Sequence, residues 1–117
     1  MSLIIIEPTQ KETAFINAYL EAIDFTECGE IDQPEHGAEL DETFIRESII
    51  DCLAFYSRIE CYISDDNIEQ SGHDFWLTRN KYGAGFWDRP EIYGDDHAEK
   101  FTKSAESFGE VYAIFEE

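Results

Sequence analysis

HDFWLTRNKYGAGFWDR, residues 73–89, is the stretch whose reading decides the fold. It holds both tryptophans and three of the eight Lys and Arg residues. Read with a period of two, Phe75, Leu77 and Arg79 point one way and Trp76, Thr78 and Asn80 the other. Asn80-Lys81-Tyr82-Gly83 with Ala84-Gly85 then forms a turn, the glycines supplying the backbone freedom of a tight or bulged loop. Phe86-Trp87-Asp88-Arg89 returns as a second strand, which Pro90 ends. On this reading the stretch is a β-hairpin, with Arg79 facing Asp88 as a cross-strand pair that locks the register.

Downstream, Asp95 or Asp96 caps a helix that turns Ala98, Phe101, Ala105 and Phe108 inward and stops at Gly109. Val111, Ala113 and Phe115, alternating with Tyr112 and Ile114, predict a final strand. Upstream the period is helical. Leu3 to Ile6 reads as a short strand or an arm packed on the core, closed by Pro8. Thr9 with Glu12 has the spacing of a capping box, and Phe15, Ile16, Tyr19, Leu20 and Ile23 predict a helix over 10–24. Residues 25–40 contain Gly29, Pro34 and Gly37 among many acids and form a loop. Asp41 is the next N-cap. Phe44, Ile45, Ile49, Cys52, Leu53, Tyr56, Ile59 and Ile63 predict the longest helix, over 42–62. Asp65-Asp66-Asn67 restarts a short helix, with Gly72 as its stop. The expected fold is therefore α+β, a single domain over 1–117. Its N-terminal helices pack on a small antiparallel sheet made by the C-terminal hairpin-helix-strand unit.

The 117 residues carry 27 acids against 8 bases, a formal charge of −19. Aromatic content of 15% is enough for a core, so this is not a disordered acidic tail. Solubility alone asks for a charge magnitude of about 2–8, and the excess destabilises the compact state by self-repulsion. Direct phosphate-backbone binding needs clustered Lys and Arg and is disfavoured; a basic partner surface is favoured. The acids concentrate in residues 21–69, with 15 acids and 2 bases, against 10 and 5 in residues 73–117. The N-terminus has neither the basic region nor the long apolar run of a signal peptide, and no apolar run approaches the length of a membrane span. Cys28, Cys52 and Cys61 are odd in number and form no CxxC, which fits reduced thiols; Cys52 and Cys61 fall in the helical apolar pattern as small core residues.

Gly72-His73-Asp74-Phe75-Trp76-Leu77-Thr78-Arg79-Asn80, followed by Gly83-Ala84-Gly85-Phe86-Trp87-Asp88-Arg89, resembles a family of small bacteriophage proteins of unknown function with the pattern GHDFWLTRNGHGAGFWDR. Phe15 to Tyr19 and Ile50-Asp51-Cys52 sit where that family has helical elements. Ala105 with Phe108-Gly109-Glu110-Val111 is similar to its ending. The resemblance covers most of the chain. It implies phage origin and expression in the host cytoplasm, and it brings no activity with it. Tyr82 stands where the family commonly has His, a departure that argues against any mechanism needing a histidine at that turn.

Two sets of residues are candidates for function. His73, Arg79, Asp88 and Arg89 are the candidate ligand site, with His73 as acid or base, the arginines as anion clamps and Asp88 as orienter. Glu42, Glu47, Asp51, Glu60, Asp65 and Asp66 are the candidate partner contacts, since rows of carboxylates on helices imitate phosphate positions. His36, His73 and His97 are scattered and show no zinc or calcium spacing, so no metal is expected. No phosphate-cradling loop calls for a nucleotide or other cofactor. Trp76, Trp87, Phe75, Phe86, Tyr82 and Tyr93 read as packing residues, because base stacking also needs a basic groove. The leading expectation is a non-enzymatic acidic phage protein that binds and inhibits a host protein with a basic, DNA-binding surface. The alternatives are a small enzyme or ligand-binding protein with its site in 73–89, and a homo-oligomeric scaffold such as a homodimer.

Overall fold

In the computed structural model, which describes residues 8–29, 31 and 33–116, the deciding stretch opens as a helix. The elements are α1 (Gln10–Glu27), α2 (Glu42–Ile59), α3 (Ile68–Arg79), α4 (Pro90–Tyr93) and α5 (Asp95–Glu106). Short 310 turns lie at Glu60–Tyr62, Asp65–Asn67 and Phe86–Asp88. The fold is all-α, which corrects the expected α+β class: among the described residues no strand forms. Residues 3–6, expected as a strand or arm, lie outside the described residues.

The reason the hairpin reading fails is visible in which residues are buried. Ile68, Ser71, Gly72, Phe75, Trp76 and Arg79 are all buried on α3, at steps of three and four that recur on one face of a helix. Half of that face is polar or glycine, which disguises the stripe, and a period of two then appears across 75–80. Gly72 is not a helix stop. It lies inside α3 where α1 crosses closest: a Cβ there would run into the Phe15 carbonyl oxygen and sit 2.9 Å from Ala18 Cβ. Absence of a side chain lets the two backbones approach, and α1 against α3 is the main helix contact of the fold.

After α3 the chain turns through Lys81, which takes a positive φ of 58°. Phe86 N–H donates to Thr78 Oγ1 at 3.1 Å, folding residues 80–88 back over the helix end. Gly85 permits this, since a Cβ there would collide with the Thr78 hydroxyl. Pro90 starts α4 at its first turn, where a missing N–H costs nothing. The expected final strand, Val111 to Phe115, makes only an isolated antiparallel bridge among the described residues, Leu40 to Phe115, with Asp41 N–H on the Ile114 carbonyl and Glu116 N–H on the Glu39 carbonyl.

The N-terminal expectations hold more closely. Thr9 and Glu12 form the full capping box of α1, and Asp41 caps α2 through the Phe44 amide. Of the predicted apolar faces, Phe15, Ile16, Tyr19 and Ile23 are buried on α1 and Phe44, Cys52, Tyr56 and Ile59 on α2; Leu20, Ile45, Ile49 and Leu53 are half-buried, and α2 ends at Ile59, before Ile63. The core is aromatic: Phe55 stacks on Phe75 with centroids 4.2 Å apart, and Phe15, Tyr19, Trp76, Phe86 and Phe101 close around them. Cys52 is buried among them, whereas Cys61, expected in the core, is exposed on the 310 turn that ends α2.

Candidate functional site

Two buried charges on α3 wire the fold together, and they set what remains for function. Arg79 is 2% exposed. It donates to Asp51 Oδ2 at 2.9 Å, to the Tyr19 hydroxyl, and to the Phe108 and Gly109 carbonyls. One side chain thereby joins α1, α2, α3 and the C-terminal segment. The predicted Arg79–Asp88 pair does not exist: with α3 in place of a strand, Asp88 is exposed on the 86–88 turn and Arg79 points the other way, into the core.

Asp74 is the second charge, fully buried one turn earlier. Its carboxylate accepts from Arg89 Nε at 3.0 and 3.1 Å, from the Tyr93 hydroxyl at 2.7 Å and from Gln70 Nε2 at 3.1 Å. A buried carboxylate with one cation and several donors is the arrangement that offsets its desolvation. Burial, and then the Asp74 charge, push the Tyr93 phenol well above its usual range. Desolvation opposes the Arg89 charge, but the Asp74 hydrogen bond and charge outweigh it and raise the Arg89 pKa. Burial likewise raises Tyr19, partly countered by the neighbouring Arg79.

The four candidate ligand residues therefore do not assemble as one group. His73 and Arg89 do meet, lining a cavity of about 370 Å3 with Thr26, Gln70, Leu77 and Tyr82. Arg79 lines a separate pocket beside Asp51, Glu47 and Val111. His73 also borders a larger groove of about 740 Å3 with Glu21, Asp24, Leu40 and Phe115. Gln70 and Thr26 carry no sequence expectation, and Tyr93 is expected only as a packing residue. The signal for Gln70 was its i, i+4 spacing to Asp74. Thr26 gave none, because Trp76 Nε1 reaches its hydroxyl from fifty residues away.

The candidate partner residues divide as well. Glu42, Glu47, Glu60, Asp65 and Asp66 are exposed, whereas Asp51 is half-buried and engaged by Arg79. At 100° per residue, Glu42 and Glu60 fall on one edge of the outer face of α2, and Glu47 and Asp51 on the other, roughly 140–180° round. Exposed Ile50 lies between the two rows. Among the described residues, five of the eight bases pair with carboxylates: Lys11, Arg46, Arg79, Arg89 and Lys103. Arg58 lies over the Phe108 ring at 4.7 Å and donates to Ser104. Little free positive charge is left to balance the surface.

Among the described residues no group of three or more His, Cys, Asp or Glu side chains is placed to hold a metal ion, and no helix is long and apolar enough to cross a membrane. The fold and these sites define a small all-α domain with an aromatic core, two internal ion pairs and an acidic surface. Comparison with protein-family models, with curated proteins and with solved structures gives no match.

Proposed function

We propose that this is a non-enzymatic bacteriophage accessory protein, working in the host cytoplasm, that covers the basic, DNA-binding surface of a host protein. The observation that carries this reading is the partition of charge. Arg79 is buried and Arg89 half-buried, each paired with a carboxylate, Asp51 and Asp74, while the excess carboxylates stay outside on α1, α2 and α5. Glu42 and Glu60 span about 27 Å along α2 at 1.5 Å per residue, comparable to several phosphate steps of a duplex strand. The phage origin rests on the sequence resemblance.

The test is competition. Host proteins retained by the immobilised domain should be released by duplex DNA and by rising salt, since exposed charges are screened within about a Debye length. Charge reversal at Glu47, Glu60 and Asp66 together should abolish retention and leave the fold intact. Retention that ignores both DNA and salt, or survives the triple reversal, would sink the reading.

A further inference from the structure

Most of the 73–89 stretch is accounted for by the core. Phe75, Trp76, Thr78, Arg79 and Phe86 are buried and bonded as described above. His73, Leu77, Tyr82 and Arg89 are different: all four line the 370 Å3 cavity, a size within the roughly 300–1,000 Å3 of small-molecule sites. His73 and Leu77 arrive there because they are four apart on α3 and share a face. Tyr82 comes from the loop after the helix, and Arg89 from beyond the 86–88 turn.

The chemistry of this cavity is unlike the rest of the surface. Asp74 holds Arg89 through Nε alone, and among the described residues the two terminal guanidinium nitrogens make no hydrogen bond. No buried side-chain nitrogen or oxygen among the described residues lacks a partner. These two nitrogens are therefore open to solvent, and Arg89 lines the cavity. Asp74 is fully buried and held by Tyr93 and Gln70 as well, so it fixes the direction of the fork and reduces the ordering cost of capturing a ligand. His73 Nε2 sits 3.7 Å from Glu21, too far for a hydrogen bond. Ala22, Leu77 and the Tyr82 ring supply apolar wall.

We infer that this cavity binds a small organic carboxylate with an apolar body. The carboxylate accepts from the two terminal nitrogens of Arg89, the bidentate match a guanidinium offers. The His73 ring donates from the side, and the apolar body lies against Leu77 and Tyr82. A single negative charge suits the site better than a phosphate dianion, which would meet more repulsion from a chain of net charge −19. This site is independent of the carboxylate rows on α2.

Benzoate is the probe and benzamide its uncharged control, each titrated into the full chain while backbone amide NMR signals are followed. Benzoate should give saturable shifts at Gln70, Leu77 and Tyr82, and benzamide much weaker ones. Arg89→Lys keeps a cation beside Asp74 but loses the fork, and should weaken benzoate about tenfold, the value of one charge-assisted hydrogen bond. If Arg89→Lys does not fold, His73→Ala and Tyr82→Ala, on partly exposed residues, carry the test with several-fold losses. Equal binding of benzoate and benzamide, no saturable shift at millimolar benzoate, or unchanged binding in the His73 and Tyr82 variants would overturn the assignment.

Discussion

Asp74 and Arg89 form an ion pair in which the acid is wholly buried and the base keeps part of its surface outside, with Nε bridging both carboxylate oxygens. The pair ties α3 to the start of α4, and Tyr93 closes it from one turn further on. Asp74→Ala leaves a cation and a phenol without their acceptor. Breaking a buried pair in this way costs about 3–5 kcal/mol, toward the lower end here because Arg89 reaches solvent. Asp74→Asn keeps the shape and should lose less. Urea unfolding, read as a midpoint at constant slope, measures both. A loss under about 1 kcal/mol for Asp74→Ala would show that the pair does not hold the fold.

Gly72 makes a sharper case, because propensity and packing disagree about it. In an isolated helix Gly72→Ala would stabilise by about 1 kcal/mol. Here the new methyl meets the Phe15 carbonyl and Ala18, and α1 must move off α3. Overpacking of this kind costs about 1–3 kcal/mol, so a net loss is expected. A stabilised Gly72→Ala protein would mean that the crossing is looser than described.

Lys81 offers the opposite outcome. Its φ of 58° is a left-handed conformation that costs a residue with a Cβ about 1–2 kcal/mol. Lys81 is exposed and makes no ion pair among the described residues. Lys81→Gly should therefore raise stability, by about 1 kcal/mol after the greater entropy of the unfolded glycine is subtracted. Thermal unfolding would register it as an upward shift of several degrees for a domain of this size.

Arg79 tests whether its charge or its geometry matters. Arg79→Lys keeps the charge beside Asp51 but cannot satisfy Tyr19, Phe108 and Gly109 from one planar group. The Tyr19 hydroxyl is the buried one of these acceptors, and leaving it unpaired costs about 1–3 kcal/mol. Arg79→Lys should thus be nearly as damaging as Arg79→Met in the same denaturation experiment. A lysine variant close to the parent in stability would show that charge alone is what the site needs.

How much of this was legible depends on where each residue's partner lies. Thr9 with Glu12, and Asp41 before Phe44, are local pairs, and the first two helices followed from them and from an apolar stripe. The third helix, expected to stop at Gly72, runs on to Arg79; its length is disguised because its inward face carries Ser71, Gly72 and Arg79. Two of them make sense only against a distant element, Gly72 against Phe15 and Arg79 against Asp51 and Tyr19, while Ser71 donates back to the Ile68 carbonyl of its own helix. An inward arginine looks like a surface residue until its acceptors are known, so residues 75–80 show an apparent period of two where the period is 3.6. The candidate sites divided for the same reason. His73 and Arg89 share a cavity because Asp74 fixes the arginine, a link that crosses fifteen residues of turn and helix.

Tyr93 and Tyr19 predict the alkaline limit of the fold. Burial raises both phenols above their usual range, with Asp74 adding to the effect at Tyr93. A raised acid favours its neutral form in the folded state. Its contribution to stability is therefore full below the unfolded value, about 10 for a tyrosine, and is lost as pH rises beyond it. The contribution of these two phenols should be constant up to that pH and fall above it, after the buried Cys52 and Cys28 thiols, also raised by burial, have begun the decline. The phenolate absorbance of these two residues should appear only with loss of helical circular dichroism. Tyr93→Phe removes one of the two groups and should make the alkaline decline shallower, at a cost near neutrality of about 1–3 kcal/mol for the donor that Asp74 loses. If both phenolates appear while the helices remain intact, Tyr19 and Tyr93 are not held in the core as described.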